Sequence, residues 1–283
     1  MHKMMRRLAF PAAINEAINR KRSSGLTKEL FGITFPNPVG LAAGIDPDAK
    51  HYNALKKDGF GFIEIGSITP VPQSGKMPGK GLKNAVERLK NNPPRGIIAA
   101  NICRNASTLN ENAGKDYEKC FAMLYDFVDM FVVNVSSPEV DYLRDLQDVE
   151  SLSEIIDKLL SLRMYFDQYK PILIKISPDL TPQVLDDIID CVMISGIDGI
   201  VACNSCRNTE EDQYTKSLST VKYIVKKTGG TLPVIATGGI DSPQKALEML
   251  NCGASLVELC SAYLSRRSIV RKTLRELRKQ IQK

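Results

Sequence analysis

The chain has 283 residues, 43% of them hydrophobic and 25% charged, with a formal net charge of +6. That length allows a substantial core in one large α/β domain or two small ones, and the composition excludes long disordered stretches. Much of the basic excess lies in the tails, at Lys3, Arg6, Arg7, Arg20, Lys21 and Arg22 and at eight lysines and arginines beyond residue 265. Solvated helix faces account for it, and no nucleic-acid motif accompanies it.

No apolar stretch has the length of a membrane span, and no signal peptide is visible. Residues 1–28 read as a basic, amphipathic N-terminal segment that packs on the domain as a helix; weak peripheral contact with an anionic membrane surface is the alternative. Seven cysteines without paired spacing read as reduced thiols in a cytoplasmic protein. Cys203 and Cys206 form a C-x-x-C. With no second pair, and with His2 and His51 the only histidines, two core thiols are expected rather than a metal site.

In chain order, eight short apolar runs occupy residues 39–43, 61–65, 96–100, 130–133, 172–176, 199–202, 233–236 and 255–259. Each has strand length and the aliphatic character of strands buried on both faces. Helix-like segments separate them. Residues 46–57 and 116–124 are two, and 151–166 is a third, with Leu152, Ile155, Ile156, Leu159, Leu160 and Leu162 at helical spacing. Thr181 can cap the next, with Pro182 at its first position. Asp241-Ser242-Pro243 opens a helix over 244–250, and Gly253 stands where the chain must leave it. Eight strand–helix units with short connections predict a single closed (β/α)8 TIM barrel over residues 29–283, with a doubly wound open sheet as the alternative.

The strand exits carry the polar residues. They are Gly44 and Asp46; Ser67 and Thr69; Asn101; Asn134 with Ser136 and Ser137; Lys175; Asn204 with Ser205; Gly238 with Gly239; and Cys260 with Ser261. In a barrel these converge on one rim, where catalysis occurs. Any one of them can be a turn former. As a set, three asparagines and a lysine suit a flat heterocycle with alternating donors and acceptors. Gly238, Gly239 and Ser261, after the seventh and eighth runs, predict a phosphate corner.

Several blocks together resemble the dihydroorotate dehydrogenases, most closely the quinone-linked branch. They are Asn37-Pro38-Val39-Gly40-Leu41-Ala42-Ala43-Gly44, Gly59-Phe60-Gly61-Phe62-Ile63-Glu64-Ile65-Gly66-Ser67-Ile68-Thr69-Pro70, Val133-Asn134-Val135-Ser136-Ser137-Pro138, Leu143-Arg144-Asp145-Leu146-Gln147, Lys175-Ile176-Ser177-Pro178-Asp179-Leu180-Thr181 and Gly253-Ala254-Ser255-Leu256-Val257. The resemblance implies an FMN oxidoreductase that converts dihydroorotate to orotate in pyrimidine biosynthesis. It implies Ser137 as the catalytic base. It implies a cofactor site formed by Ala43, Gly44, Ser67, Asn101, Asn134, Lys175, Cys203, Gly238, Gly239, Cys260 and Ser261, and substrate contacts from Asn134, Asn204 and Ser205.

The chain departs from the family pattern at four places. Pro47 stands where a lysine is usual, and Glu139 where an asparagine is usual. A segment between the second and third runs is shorter, and Asn208-Thr209-Glu210-Glu211-Asp212 replaces a glycine-rich stretch. The alternative is therefore a divergent paralogue that binds FMN or another phosphorylated ligand, with a different substrate or no turnover. The stretch before Asn37 is short for a quinone tunnel, so the electron acceptor stays open. The expected location is cytoplasmic, or peripheral at the inner face of the membrane as the alternative.

Overall fold

The computed structural model describes residues 25–75, 78–205 and 212–282. Most of the expected N-terminal segment, Cys206 and the acidic residues Glu210 and Glu211 lie outside the described residues.

The eight apolar runs form eight parallel strands, and the barrel is closed. After a short hairpin of β1 (Lys28–Leu30) and β2 (Ile33–Phe35), the barrel strands are β3 (Val39–Leu41), β4 (Phe62–Ile68), β5 (Ile97–Ile102), β6 (Met130–Asn134), β7 (Ile172–Ile176), β8 (Gly199–Ala202), β9 (Val234–Ala236) and β10 (Leu256–Leu259). β10 pairs with both β9 and β3, which closes the ring. The open-sheet alternative is thereby overturned.

The helices are α1 (Tyr52–Leu55), α2 (Gly81–Asn91), α3 (Ala113–Leu124), α4 (Val149–Arg163), α5 (Pro182–Ser195), α6 (Gln213–Lys227), α7 (Pro243–Asn251), α8 (Ser261–Ser265) and α9 (Ile269–Ile281). The expected caps form. Thr181 Oγ1 accepts from the Val184 N–H at 3.3 Å with Pro182 at the first turn, and Ser242 Oγ accepts from the Lys245 N–H at 3.3 Å. The helix expected over 46–57 is much shorter. The Asp46 carboxylate takes the Lys50 and His51 N–H groups at 2.7 and 2.8 Å, and Ala49 has a positive φ of 51°. That side chain competes successfully with the helical backbone, and regular helix begins only at Tyr52.

The lower barrel is filled by interleaved side chains, among them Phe62, Met130, Leu173 and Leu256. The β1–β2 hairpin packs on them from below, turning at Phe31 (φ 57°) and Gly32 (φ 75°), the positive-φ pair that matches strand twist. Phe35 meets Phe62 edge to face, with ring centroids 5.5 Å apart. Gly40 faces that ring; a Cβ there would stand 2.2 Å from it. The barrel floor is therefore sealed by aromatic packing. The basic C-terminal tail forms α9, whose Val270, Leu274 and Leu277 are buried while its charged residues face outward. Among the described residues, no helix is long and apolar enough to cross a membrane.

Candidate active site

Strand alternation turns Glu64, Asn101, Asn134, Lys175 and Glu258 into the upper lumen, because inward positions recur at every second residue. The expected polar groups meet there. Asn134 Nδ2 donates to Ser67 Oγ at 3.0 Å and to Asn101 Oδ1 at 3.2 Å. Ser67 Oγ donates to Asn101 Oδ1 at 2.5 Å, and Asn204 Nδ2 donates to Asn134 Oδ1 at 3.3 Å and to Ser136 Oγ at 3.2 Å. Three amides and the Ser67 hydroxyl, from four strands, thus form one connected network.

Beneath them lies an ion pair that sequence reading did not single out. Lys175 Nζ donates to Glu64 Oε2 at 2.9 Å and Oε1 at 3.2 Å. Glu64 also accepts from Asn101 Nδ2 at 2.7 Å and from the Ala43 N–H at 2.8 Å. Burial alone would raise the Glu64 carboxyl, but the Lys175 charge and these bonds hold it below the usual carboxylate range. Burial would lower Lys175, yet the charge of Glu64 and its hydrogen bonds outweigh it and raise the ammonium. The signal was present in the sequence: each glutamate interrupts an otherwise aliphatic strand at an inward position.

Ser137 is buried, and its Oγ accepts from the Glu139 N–H at 3.3 Å. The Glu139 side chain itself is exposed. Arg144 ties the neighbouring loops together. Its guanidinium donates to the Ser136 carbonyl at 3.1 Å, the Asp179 carboxylate at 2.7 Å and the Ser205 carbonyl at 2.6 Å. Gln147 supports the same region, its Oε1 accepting from the Ser177 N–H at 2.8 Å.

The two cysteines at the rim differ. Cys203 is fully buried, its thiol faces Ser217 and Thr220 of α6, and burial pushes it up to about 12. Only its backbone lies at the strand exit. Cys260 is half-buried, with Sγ 3.9 Å from the Ala43 carbonyl. At the expected phosphate corner, Gly238 and Gly239 have φ of 97° and 70°, and the start of α6 packs so closely that a Cβ on Gly239 would lie 2.5 Å from Tyr214 N. Ser261 and Ser205 are exposed at the rim. Gly44 is exposed as well, with φ 94° and open space where a Cβ would stand. Among the described residues, no cluster of His, Cys, Asp and Glu is arranged to hold a metal.

A flat polar ring fits this donor set. The amides and the Ser67 hydroxyl can exchange their mutual bonds for a heterocycle's edge, the ammonium adds a cation below, and open space lies beside Gly44. Fold and site together define the class, a (β/α)8 barrel with a polar ligand-binding mouth at the strand C-termini.

Comparison with known proteins is consistent with that class. The model of the dihydroorotate dehydrogenase family matches residues 25–281. The chain is 38% identical over 277 residues to a dihydroorotate dehydrogenase (quinone) of Christiangramia forsetii, covering 86% of this chain and 81% of that one. It is 36% identical over 269 residues to the enzyme of the same name from Coxiella burnetii, covering 81% and 78%. The solved structure of ligand-free DHODH from Eimeria tenella superposes with a TM-score of 0.84 at 28% identity, covering 89% and 86% of the two chains. The chain belongs to the dihydroorotate dehydrogenase family.

Proposed function

We propose that this chain oxidises dihydroorotate to orotate with FMN as cofactor and a quinone as the final acceptor. The observation that carries the reading is the meeting of Asn101, Asn134, Lys175 and Asn204 around one mouth. The quinone follows the names of the relatives above. FMN, when bound, would supply the acceptor for the hydride from the substrate C6.

The chain's own residues do the rest. Ser137 takes the C5 proton onto Oγ while its own hydroxyl proton leaves along a hydrogen-bonded water path to solvent, and the Glu139 N–H on that Oγ favours the charge that grows there. Asn134, Asn204 and Ser205 orient the substrate; Arg144 holds the loops that carry Ser136 and Ser205. Ser67, Asn101, Asn134 and Lys175 hold the ring, with Ala43, Gly44 and Cys260 beside it and the backbone of Cys203 at its rim. The Lys175 ammonium would favour negative charge on a ring held there. Gly238, Gly239 and Ser261 hold the phosphate. Six free cysteines among the described residues support a cytoplasmic location, which fractionation of cells tests.

The test is an absorbance scan of freshly purified protein before and after dihydroorotate. A flavin spectrum bleached by the substrate is expected, and Ser137→Ala should slow the bleaching by about 10²-fold or more while leaving FMN bound. Protein that stays yellow with dihydroorotate refutes the substrate, and protein that binds no FMN refutes the cofactor. Pro47 and Glu139 favour a second reading, a paralogue that keeps the flavin and acts on something else. Dihydroorotate turnover that appears only in Pro47→Lys/Glu139→Asn would show that the pocket has drifted from that substrate.

A further inference from the structure

Glu258 takes part in none of these steps, yet it is buried in the same lumen. It is 1% exposed, and among the described residues no N–H or O–H donor reaches either of its oxygens. The groups facing it are few. Glu64 comes from β4 and Lys175 from β7; the flanking strands β3 and β9 bring Gly40, Ile235 and Ala236, none of which ionises. Just past the end of its own strand, burial raises the Cys260 thiol, so it stays neutral near pH 7.

Two carboxyl groups therefore compete for one ammonium, and the distances decide between them. Lys175 Nζ is 2.9 Å from Glu64 but 3.9 Å from Glu258, outside hydrogen-bond reach. Glu64 accepts four hydrogen bonds from three donor groups, and Glu258 has no donor among the described residues. A second carboxylate without a single donor, beside the first, has no compensation for leaving water. Burial first, and the Glu64 charge second, push the Glu258 acid well above the usual carboxylate range.

We propose that Glu258 is a positioning residue kept as the neutral acid, whose O–H donates to Glu64 so that Lys175 keeps a free N–H for the mouth. The lumen then holds one cation and one anion, and its net charge is zero. Ionised, Glu258 would draw the ammonium down and set a net negative charge under the ligand. The meaning of that charge for a flavin rests on the function proposed above; the protonation itself does not.

The test compares the wild type with Glu258→Gln, which keeps a neutral donor of the same shape. Infrared difference spectra without added ligand should contain a protonated-carboxyl carbonyl band at neutral pH that Glu258→Gln removes. In FMN-loaded protein the two flavin midpoint potentials should coincide near neutrality. They should separate at alkaline pH, the wild type falling below the variant as Glu258 ionises. Absence of the band overturns the proposal. So does a potential raised in Glu258→Gln at neutral pH by about 30 mV, a tenfold change in a two-electron equilibrium. If no FMN binds, the functional reading fails, and the infrared band still decides Glu258. If Glu258→Gln does not fold, loss of the wild-type band on alkaline titration decides it.

Discussion

Replacing Lys175 by methionine keeps the side-chain length and removes the one charge that answers Glu64. The two groups lie 2.9 and 3.2 Å apart, with side chains 5% and 0% exposed. At about 3 Å and an effective dielectric of about 20, the lost attraction is roughly 5 kcal/mol. The wild-type pair already bears the cost of leaving water, and Asn101 and Ala43 still serve Glu64 in the variant. A net loss of about 3–5 kcal/mol is expected.

The pH dependence follows from the sign of the shifts. Glu64 in the wild type is held below its ordinary value, so its contribution is present above that value and is lost as pH falls through the lower, folded one. In Lys175→Met, burial acts on Glu64 without the opposing cation, and the folded state takes up a proton. The variant therefore falls further behind as the pH rises from about 5 to about 8. Urea unfolding of both proteins at those two pH values measures the gap, and adding Glu64→Gln to Lys175→Met should restore most of it. A deficit under about 1 kcal/mol, or one equal at both pH values, would refute the reasoning.

Arg144→Ala removes a fork that joins three loops, and it should cost about 1–3 kcal/mol of stability and lower turnover at least tenfold. Thermal unfolding and kcat check it; Arg144→Lys should rescue little, because a point charge cannot reach all three partners. Gly239→Ala forces a Cβ against Tyr214 at a φ of 70° and should weaken FMN binding by displacing the start of α6, as calorimetric titration would register. Gly40→Ala should destabilise by about 1–3 kcal/mol through its clash with the Phe62 ring. Adding Phe62→Leu should recover part of that loss in the same unfolding assay; strict additivity of the two changes would count against the clash.

Much of the barrel was legible because its strands are buried on both faces and therefore appear as uninterrupted aliphatic runs. The rim was legible for the opposite reason: Asn101, Asn134 and Asn204 end those runs abruptly. The hairpin was not, since its strands have three residues each and only Phe35 of them is fully buried. α2 and α6 carry too many lysines and polar residues for their inward stripes to stand out, although Leu82, Ala85 and Leu89, and Val221 and Ile224, mark them. Glu64 and Glu258 were hidden by company, each read as one odd member of an aliphatic run. Only closure of the ring reveals that both enter the lumen beside Lys175. The length of the helix after β3 depended on Asp46 folding back on its own turn, a choice that helical spacing does not express.

The aromatic floor has one more consequence. With Phe35 and Phe62 stoppering the lower end, this barrel is a cup and not a pipe. Any water or proton that reaches the glutamates and the lysine must descend from above, past the very place where a ring would sit. A seated ligand then lies across that path, so that proton exchange with the chamber below slows while the ligand is in place.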